Sequence, residues 1–136
     1  MPCVSGLIAV RLDTCEGALP LLARFVYSAD HPYAVQADFF DGQTSLASWQ
    51  FDRQMLAEGL RRPVGEGDVT FGPHEEVGGR EFRIGLRNHA DGAAGRAVLF
   101  ADGGMVKEFL DRTYAVVGEG EEFLDLDKLL DEFLAR

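Results

Sequence analysis

Hydrophobic and polar residues alternate through the middle of the first half of the chain. Val35, Ala37 and Phe39 alternate with polar neighbours, and the alternation resumes at residues 47–51, after the dipeptide Asp41-Gly42. A period of two places every second side chain on the same face of a sheet, so both segments are predicted to be half-buried strands. Asp-Gly between two such strands is a strong hairpin signal, and the segment therefore predicts a β-hairpin.

Two more β-rich runs, residues 6–12 and 21–28, precede this hairpin, and residues 16–20 are expected to connect them. The pattern becomes helical after Asp52, a residue type that commonly caps helix N termini, and residues 53–58 are strong helix formers. The first half is therefore predicted to contain four strands followed by a short helix.

The second half repeats this order in outline. Residues 69–71, 82–86 and 95–101 predict three strands, and Asp102 precedes a helical pattern. The apolar face of that helix is Met105, Val106, Phe109 and Leu110. The chain is thus predicted to be one α+β domain, residues 1–136, with antiparallel β-sheets and helices after each strand group.

A final helix with a wide apolar stripe is predicted near the C terminus, and the stripe is expected to pack in the core or between subunits. The stripe consists of Leu126, Leu129, Leu130, Phe133 and Leu134, and the opposite, acidic face carries Asp127, Asp131 and Glu132. Docking of this helix in a groove of a partner is the alternative.

The charge distribution narrows the classes of function. The formal net charge is −10, and residues 101–136 contain ten acidic and four basic residues, whereas residues 61–100 contain six of each. Lys and Arg supply most of the affinity for phosphate backbones, so this balance disfavours non-specific binding to nucleic acid and to anionic lipid. The N terminus lacks the features of a signal peptide, and no apolar run reaches membrane-spanning length, so a cytoplasmic location is expected.

Four arginines, Arg80, Arg83, Arg87 and Arg96, cluster in the neutral middle third. Arg83 and Arg87 lie four positions apart in a predicted strand and should therefore share one face. The usual interpretation of such a pair is a solvated sheet face. The functional alternative is a docking site for an acidic partner or for a neighbouring subunit's acidic tail. Arg83 and Arg87, with Asp127 and Asp131 of the final helix, are the candidate protein-binding residues.

No catalytic, metal or cofactor motif is recognised in the sequence. His31, His74 and His89 fall in predicted loops, and His74 lacks the second histidine and the helix of a zinc-protease motif. The serines lack a nucleophile-elbow context, and the glycines do not open a helix as in a phosphate-binding loop. Cys3 and Cys15 are expected to be buried or half-buried reduced thiols. The sequence therefore predicts a protein that is not an enzyme and that has no cofactor or metal.

Several segments resemble the SsgA-like family of sporulation and cell division proteins. Ala29-Asp30-His31-Pro32-Tyr33-Ala34-Val35 is similar to the family's Asp-Pro-Tyr-Ala-Val signature, with His31 interrupting it. Residues 49–60 are similar to the family's Trp-x-Phe-Ala-Arg-Asp-Leu-Leu-x-x-Gly-Leu stretch, with Asp52 and Gln54 as departures, and residues 63–69 continue the match. Residues 109–113 and 118–121 fit the closing region. The Leu-Ala-Glu-Gly-Leu and Asp-Leu-Asp segments favour the SsgB-like branch.

The resemblance implies a function that composition does not. It implies an adaptor in sporulation-specific cell division, located at the septum, that recruits or positions the tubulin-like GTPase FtsZ. It also implies a whirly-like fold and a homo-oligomer, with a trimer expected. Because whirly proteins bind single-stranded nucleic acid, a nucleic-acid-binding module is the alternative. The sequence disfavours it, since Tyr33, Phe39, Trp49 and Phe51 are expected in the core and no basic strip accompanies them.

Overall fold

A computed structural model describes residues 2–76, 79–88 and 95–122 of the chain. These residues form one eight-stranded antiparallel sheet and two helices, which confirms the predicted α+β class. The elements are β1 (Cys3–Thr14), β2 (Gly17–Ser28), β3 (Ala34–Asp41), β4 (Thr44–Asp52), α1 (Arg53–Gly59), β5 (Val64–Glu66), β6 (Val69–Glu76), β7 (Gly79–Asn88), β8 (Gly95–Asp102) and α2 (Gly103–Val116). The strand order across the sheet is β4-β3-β2-β1-β8-β7-β6-β5.

The described chain consists of two units with the same order of elements, each a meander of four strands followed by a helix. Three residue pairs between β1 and β8 join the units into one sheet. The prediction of three strands in the second unit is wrong, because β5 was missed. β5 has only three residues and is joined to β6 by a turn in which Gly67 has a φ of 61°. A strand this short contains too few residues to show a period of two.

The local signals for turns and helix caps are confirmed. β3 and β4 are joined at Gly42, whose φ is 61°. The Asp52 carboxylate accepts a hydrogen bond of 2.9 Å from the Met55 amide. The Asp102 carboxylate accepts a bond of 3.0 Å from the Met105 amide. Each aspartate therefore satisfies a backbone donor that the first turn of its helix leaves free.

The strands are longer than their patterns predicted. β2 begins at Gly17 and includes Pro20, which was expected in the connection. Pairing between β2 and β3 starts only at Leu22, so the missing N–H of Pro20 removes no hydrogen bond from that ladder. β6 continues through Gly72 and Pro73 and places His74 in a strand rather than a loop.

The expected burial of the two thiols is also wrong. Cys3 begins β1 and Cys15 lies in the turn between β1 and β2, and both are exposed and unbridged. One thiol lies at the start of a strand and the other in a turn, where the sheet covers little surface.

An aromatic cluster forms the core between the inner face of the sheet and α2. The ring of Phe109 contacts that of Phe25, with 5.5 Å between the ring centroids. The ring of Phe71 contacts Phe51 at 5.0 Å and stacks on Phe82 at 5.4 Å. α2 buries Val106, Phe109 and Leu110 as predicted, whereas Met105 is exposed. The predicted final helix, with Asp127 and Asp131, and His89 lie outside the described residues.

Substitution Gly59→Ala is expected to destabilise the protein, although alanine is the better helix former. Gly59 is buried, and a Cβ there would lie 2.5 Å from the Phe71 Cβ and 3.2 Å from the Phe82 ring. Overpacking of this kind lowers stability by about 1–3 kcal/mol, which exceeds the gain in helix propensity at a helix end. Thermal unfolding measures the effect, and an unchanged or higher melting temperature would show that the contact relaxes without strain.

Candidate protein-docking site

The predicted placement of Arg83 and Arg87 on one face of a strand is confirmed. In β7, Phe82, Ile84 and Leu86 are buried in the core, so Arg83 and Arg87 point to the opposite, outer face of the sheet. Arg83 is half-buried and Arg87 is exposed.

Arg96 of β8 belongs to the same surface, because it lies directly opposite Arg87 in the β7–β8 register. Arg80 does not belong to it. It lies three positions before Arg83, which in a strand places it on the face shared with Phe82. The outer-face residues Arg83, Arg87 and Arg96 are called the arginine face below.

A groove of about 560 Å³ runs over the arginine face. Its lining includes the small residues Thr70 of β6 and Gly85 of β7, which are cross-strand neighbours, and Val98 of β8, which lies opposite Gly85. A Cβ on Gly85 would collide with the Thr70 hydroxyl, so only glycine lets these two strands pack with the threonine side chain in this position. The groove therefore has a floor of small side chains with arginines on either side.

The arginine face, like Arg61, Arg80 and Arg112, differs in its ion pairing from four other arginines of the described residues. Arg11 pairs with Glu81, Arg24 with Asp38, Arg53 with Glu122 and Arg62 with Glu58. Across residues 2–76, 79–88 and 95–122, no ion pair joins Arg83, Arg87 or Arg96 to a carboxylate. This surface therefore keeps its positive charge on a protein with a net charge of −10.

The outer face of the first unit is neutralised instead. Asp38 is 6% exposed and accepts hydrogen bonds from Ser48 at 2.6 Å, Gln36 at 3.2 Å and Arg24 at 3.3 Å. The hydrogen bond from Ser48 lowers the pKa of Asp38 and burial raises it. The hydrogen bond has the larger effect, so the pKa of Asp38 lies below its usual value. Arg24, an arginine on the outer face of this unit, is thus bound to an internal carboxylate.

A second polar site, centred on Arg53, was missed by the sequence analysis. Arg53 begins α1 and is 1% exposed. Its guanidinium donates to the carbonyl of Thr113 at 3.2 Å, to the carbonyl of Val117 at 2.7 Å and to the Glu122 carboxylate at 2.7 Å. These carbonyls lie at the C-terminal end of α2, and that of Thr113 also accepts the Val117 amide at 3.0 Å. Arg53 therefore fastens the end of α2 and the following segment to α1.

Aromatic rings enclose the same guanidinium. Its central carbon lies 4.8 Å from the Tyr27 ring centre and 4.1 Å from the Tyr114 ring centre, which are cation–π distances. Burial raises the pKa of both tyrosines above the usual value. The hydrogen bond from Arg53 holds the pKa of Glu122 below its usual value. Arg53 lies within residues 49–60, the segment that resembles the family. Nothing in the sequence around the start of the predicted helix indicated that its side chain is buried.

The expectation that four aromatic residues lie in the core is wrong for Tyr33. Tyr33 is 49% exposed and donates a hydrogen bond of 3.2 Å to the Glu122 carbonyl. Phe39 and Phe51 are buried, and Trp49 is half-buried against the core. Tyr33 thus joins Arg53 in holding the segment that follows α2.

The histidines give no sign of a metal centre in the part of the chain that the structure describes. No group of three or more His, Cys, Asp or Glu side chains is arranged there to hold a metal ion. His31 is exposed in a turn, and the half-buried His74 packs on Phe100 at 4.7 Å between ring centres. No helix among the described residues has the length and apolar character needed to cross a membrane.

Fold and site together define an α+β protein built on a curled antiparallel sheet, with a basic groove on its outer face. The family described as "Streptomyces sporulation and cell division protein, SsgA" matches residues 21–122. The chain belongs to this family.

Individual relatives agree with the family and with the expected branch. The sporulation-specific cell division protein SsgB of Thermobifida fusca is 37% identical over 135 residues, covering 98% of this chain and 94% of the relative. SsgB of Kineococcus radiotolerans is 41% identical over 130 residues, covering 95% of this chain and 76% of the relative. A crystal structure of an SsgA-like sporulation-specific cell division protein from Thermobifida fusca superposes with a TM-score of 0.86 at 32% identity, covering 97% of this chain and 96% of that one. These relatives support a role in sporulation septation.

Proposed function

We propose that this protein is a non-enzymatic adaptor that recruits or positions the division GTPase FtsZ at septum sites during sporulation. Family membership supports the setting, because the relatives are sporulation-specific cell division proteins. The observation that carries the proposal is the arginine face, whose groove is lined by three arginines and one acidic residue, Asp68, and therefore carries an excess of positive charge. Such a surface favours an acidic partner and increases the rate of encounter with it.

The adaptor is proposed to act as a homo-oligomer, with a trimer expected from the family resemblance. β4 is an outer strand of the sheet, and its edge is long for an unprotected one. Residues 43–51 contain no charged residue and no proline, the two features that commonly protect exposed edges from pairing. Association through an uncharged edge also brings no like-charged side chains of the two copies into contact. Several copies on one septum site increase the avidity for a polymeric partner.

The alternative function is a whirly-type single-stranded nucleic-acid-binding module, and the arginine face is the feature that favours it. Nucleic-acid platforms place aromatic rings beside basic residues so that bases can stack. On the arginine face, Phe100 stands opposite Arg83, but it already contacts Arg11 and His74. The adaptor is therefore the better supported function.

Affinity for single-stranded DNA is expected to be negligible near physiological salt. The acidic excess of ten charges repels a polyanion, and three arginines release few counterions. Anisotropy with a fluorescent oligothymidine should show a dissociation constant weaker than about 100 µM. Tight binding that weakens steeply with added salt would favour the nucleic-acid function instead.

The adaptor function is tested by co-sedimentation of the full-length protein with FtsZ. Polymers formed with GTP should carry the protein into the pellet, and unpolymerised FtsZ with GDP provides the control. A protein that remains in the supernatant with GTP polymers, at concentrations up to tens of micromolar, would contradict recruitment by direct binding.

A further inference from the structure

Arg87 and Arg96 carry like charges and lie opposite each other on neighbouring strands, an arrangement that destabilises a sheet. The two residues are direct partners in the β7–β8 register, and both side chains are exposed. Directly opposed residues in antiparallel strands have Cβ atoms about 4.5–5.5 Å apart, and like charges at that distance destabilise the pairing. No ion pair within the described ranges joins either arginine to a carboxylate, and the acidic residue beside them in the groove is Asp68. The two guanidiniums together are placed to bind an anion between them.

The groove floor separates this pair from Arg83. Thr70, Gly85 and Val98 lie side by side on β6, β7 and β8, in the row between Arg83 and Arg87. Strands rise by about 3.4 Å per residue, so the Cα atoms of Arg83 and Arg87 are about 13 Å apart along β7. The intervening row carries only small side chains, and a guanidinium nitrogen of Arg83 lies 3.5 Å from the position that a Cβ on Gly85 would take. A polypeptide that crosses the strands over this row would therefore contact the Arg83 guanidinium directly as one wall and have the Arg87–Arg96 pair on its other side as the second.

An extended peptide matches these two walls better than a single small anion. Successive side chains of an extended chain point in opposite directions, so two neighbouring acidic residues reach both walls at once. Guanidinium groups bind carboxylates in a bidentate, planar geometry. Resting on the adaptor function proposed above, we infer that the arginine face binds an extended segment with consecutive acidic residues, supplied by the division partner.

The acidic run of the chain itself is already engaged. Glu122 pairs with Arg53, and its carbonyl accepts the Tyr33 hydroxyl. The Glu121 amide donates to the Gly118 carbonyl at 3.0 Å, which closes a turn in the same run. Residues 119–122 are thus held beside α1 of the same molecule and do not occupy the groove.

One carboxylate of the chain, that of Asp68, also lines the groove. Asp68 lies in the turn between β5 and β6, at the end of the groove where the Arg87 amide donates to the Asp68 carbonyl. A negative charge at this end of the groove repels any anion that extends past it, so the groove accepts a short anion more readily than a long one. It disfavours a continuous phosphate backbone more than a short peptide.

The inference is tested with fluorescein-labelled octaglutamate and the full-length protein, by anisotropy at about 50 mM salt, where screening is weak. The variant Arg87→Gln/Arg96→Gln should bind at least about tenfold more weakly, because both ligands of one wall are lost. The matched control Lys107→Gln/Arg112→Gln removes the same charge from exposed positions of α2 and should change the affinity by less than about threefold. The arginine variant should melt no lower than the wild type, since the substitutions remove a repulsive pair.

Four other results would overturn the inference. Octaglutamate binding that is equal in the two variants would place the peptide elsewhere. Competition by inorganic phosphate as strong as that by unlabelled octaglutamate would indicate a small-anion site. Stronger competition by an octathymidine would indicate nucleic acid. Dissociation of a wild-type oligomer in the arginine variant, measured by light scattering, would identify a second copy of this chain as the occupant.

The site and the proposed function can fail separately. If octaglutamate binding depends on Arg87 and Arg96 but the wild type does not sediment with FtsZ polymers, the site stands and the adaptor function fails. If the wild type sediments with the polymers and the arginine variant sediments equally well, the function stands and the inference fails.

Discussion

Replacement of Arg53 by alanine is expected to lower the free energy of unfolding by about 2–5 kcal/mol, the range found when a large buried side chain is truncated to alanine. The substitution leaves the carbonyls of Thr113 and Val117 and the carboxylate of Glu122 without the donor that they share. It also opens a cavity between the rings of Tyr27 and Tyr114. Both effects act on the contact between α1 and the end of α2.

Urea denaturation, followed by the fluorescence of Trp49, measures this loss. Arg24→Ala is the matched control, because Arg24 also pairs with a carboxylate but its side chain is 52% exposed. An exposed pair contributes at most about 1 kcal/mol. A loss below about 1 kcal/mol for Arg53→Ala would show that the buried contacts are replaced by water.

The dependence of stability on pH provides a second control for the Arg53 site. The pKa of Glu122 is lower in the folded protein than its ordinary value of 4.5. Its contribution is therefore complete above pH 4.5 and is lost as the pH falls through the folded pKa. Unfolding of Glu122→Gln should depend less on pH in this acid range than unfolding of the wild type, with Asp38 contributing equally to both.

The features that the sequence predicted well are determined by neighbouring residues. The turn at Gly42 and the caps formed by Asp52 and Asp102 depend on contacts two or three positions along the chain. The shared face of Arg83 and Arg87 follows from the strand period alone. These elements needed no knowledge of distant contacts.

The features that the sequence did not predict depend on distant contacts. The hydrogen-bond acceptors of Arg53 lie 60 or more positions along the chain, and nothing in its neighbours indicates this. Arg96 joins the arginine face only through the β7–β8 register, which the pattern does not give. The hydroxyl of Tyr33 reaches a carbonyl 89 positions away, so its exposed location could not be read from local alternation.

The variant Arg83→Glu/Arg87→Glu is expected to bind FtsZ polymers at least about tenfold more weakly than the wild type. The change reverses the charge at Arg83 and places a glutamate directly opposite Arg96, which neutralises the other wall, so an acidic segment would lose its ion pairs and meet repulsion at position 83. Its stability should change little, because both side chains lie on the outer face of the sheet and neither forms an ion pair that the described residues show.

The central claim is that the arginine face is the surface through which this protein reaches the division machinery. Its most direct test is a titration of GTP-assembled FtsZ polymers with three proteins: the wild type, Arg83→Glu/Arg87→Glu and the control Lys107→Glu/Arg112→Glu, which reverses two exposed charges on α2. The account predicts that the wild type and the control sediment with the polymers and that the arginine variant stays in the supernatant, with all three folded by circular dichroism. Equal sedimentation of all three proteins would contradict it.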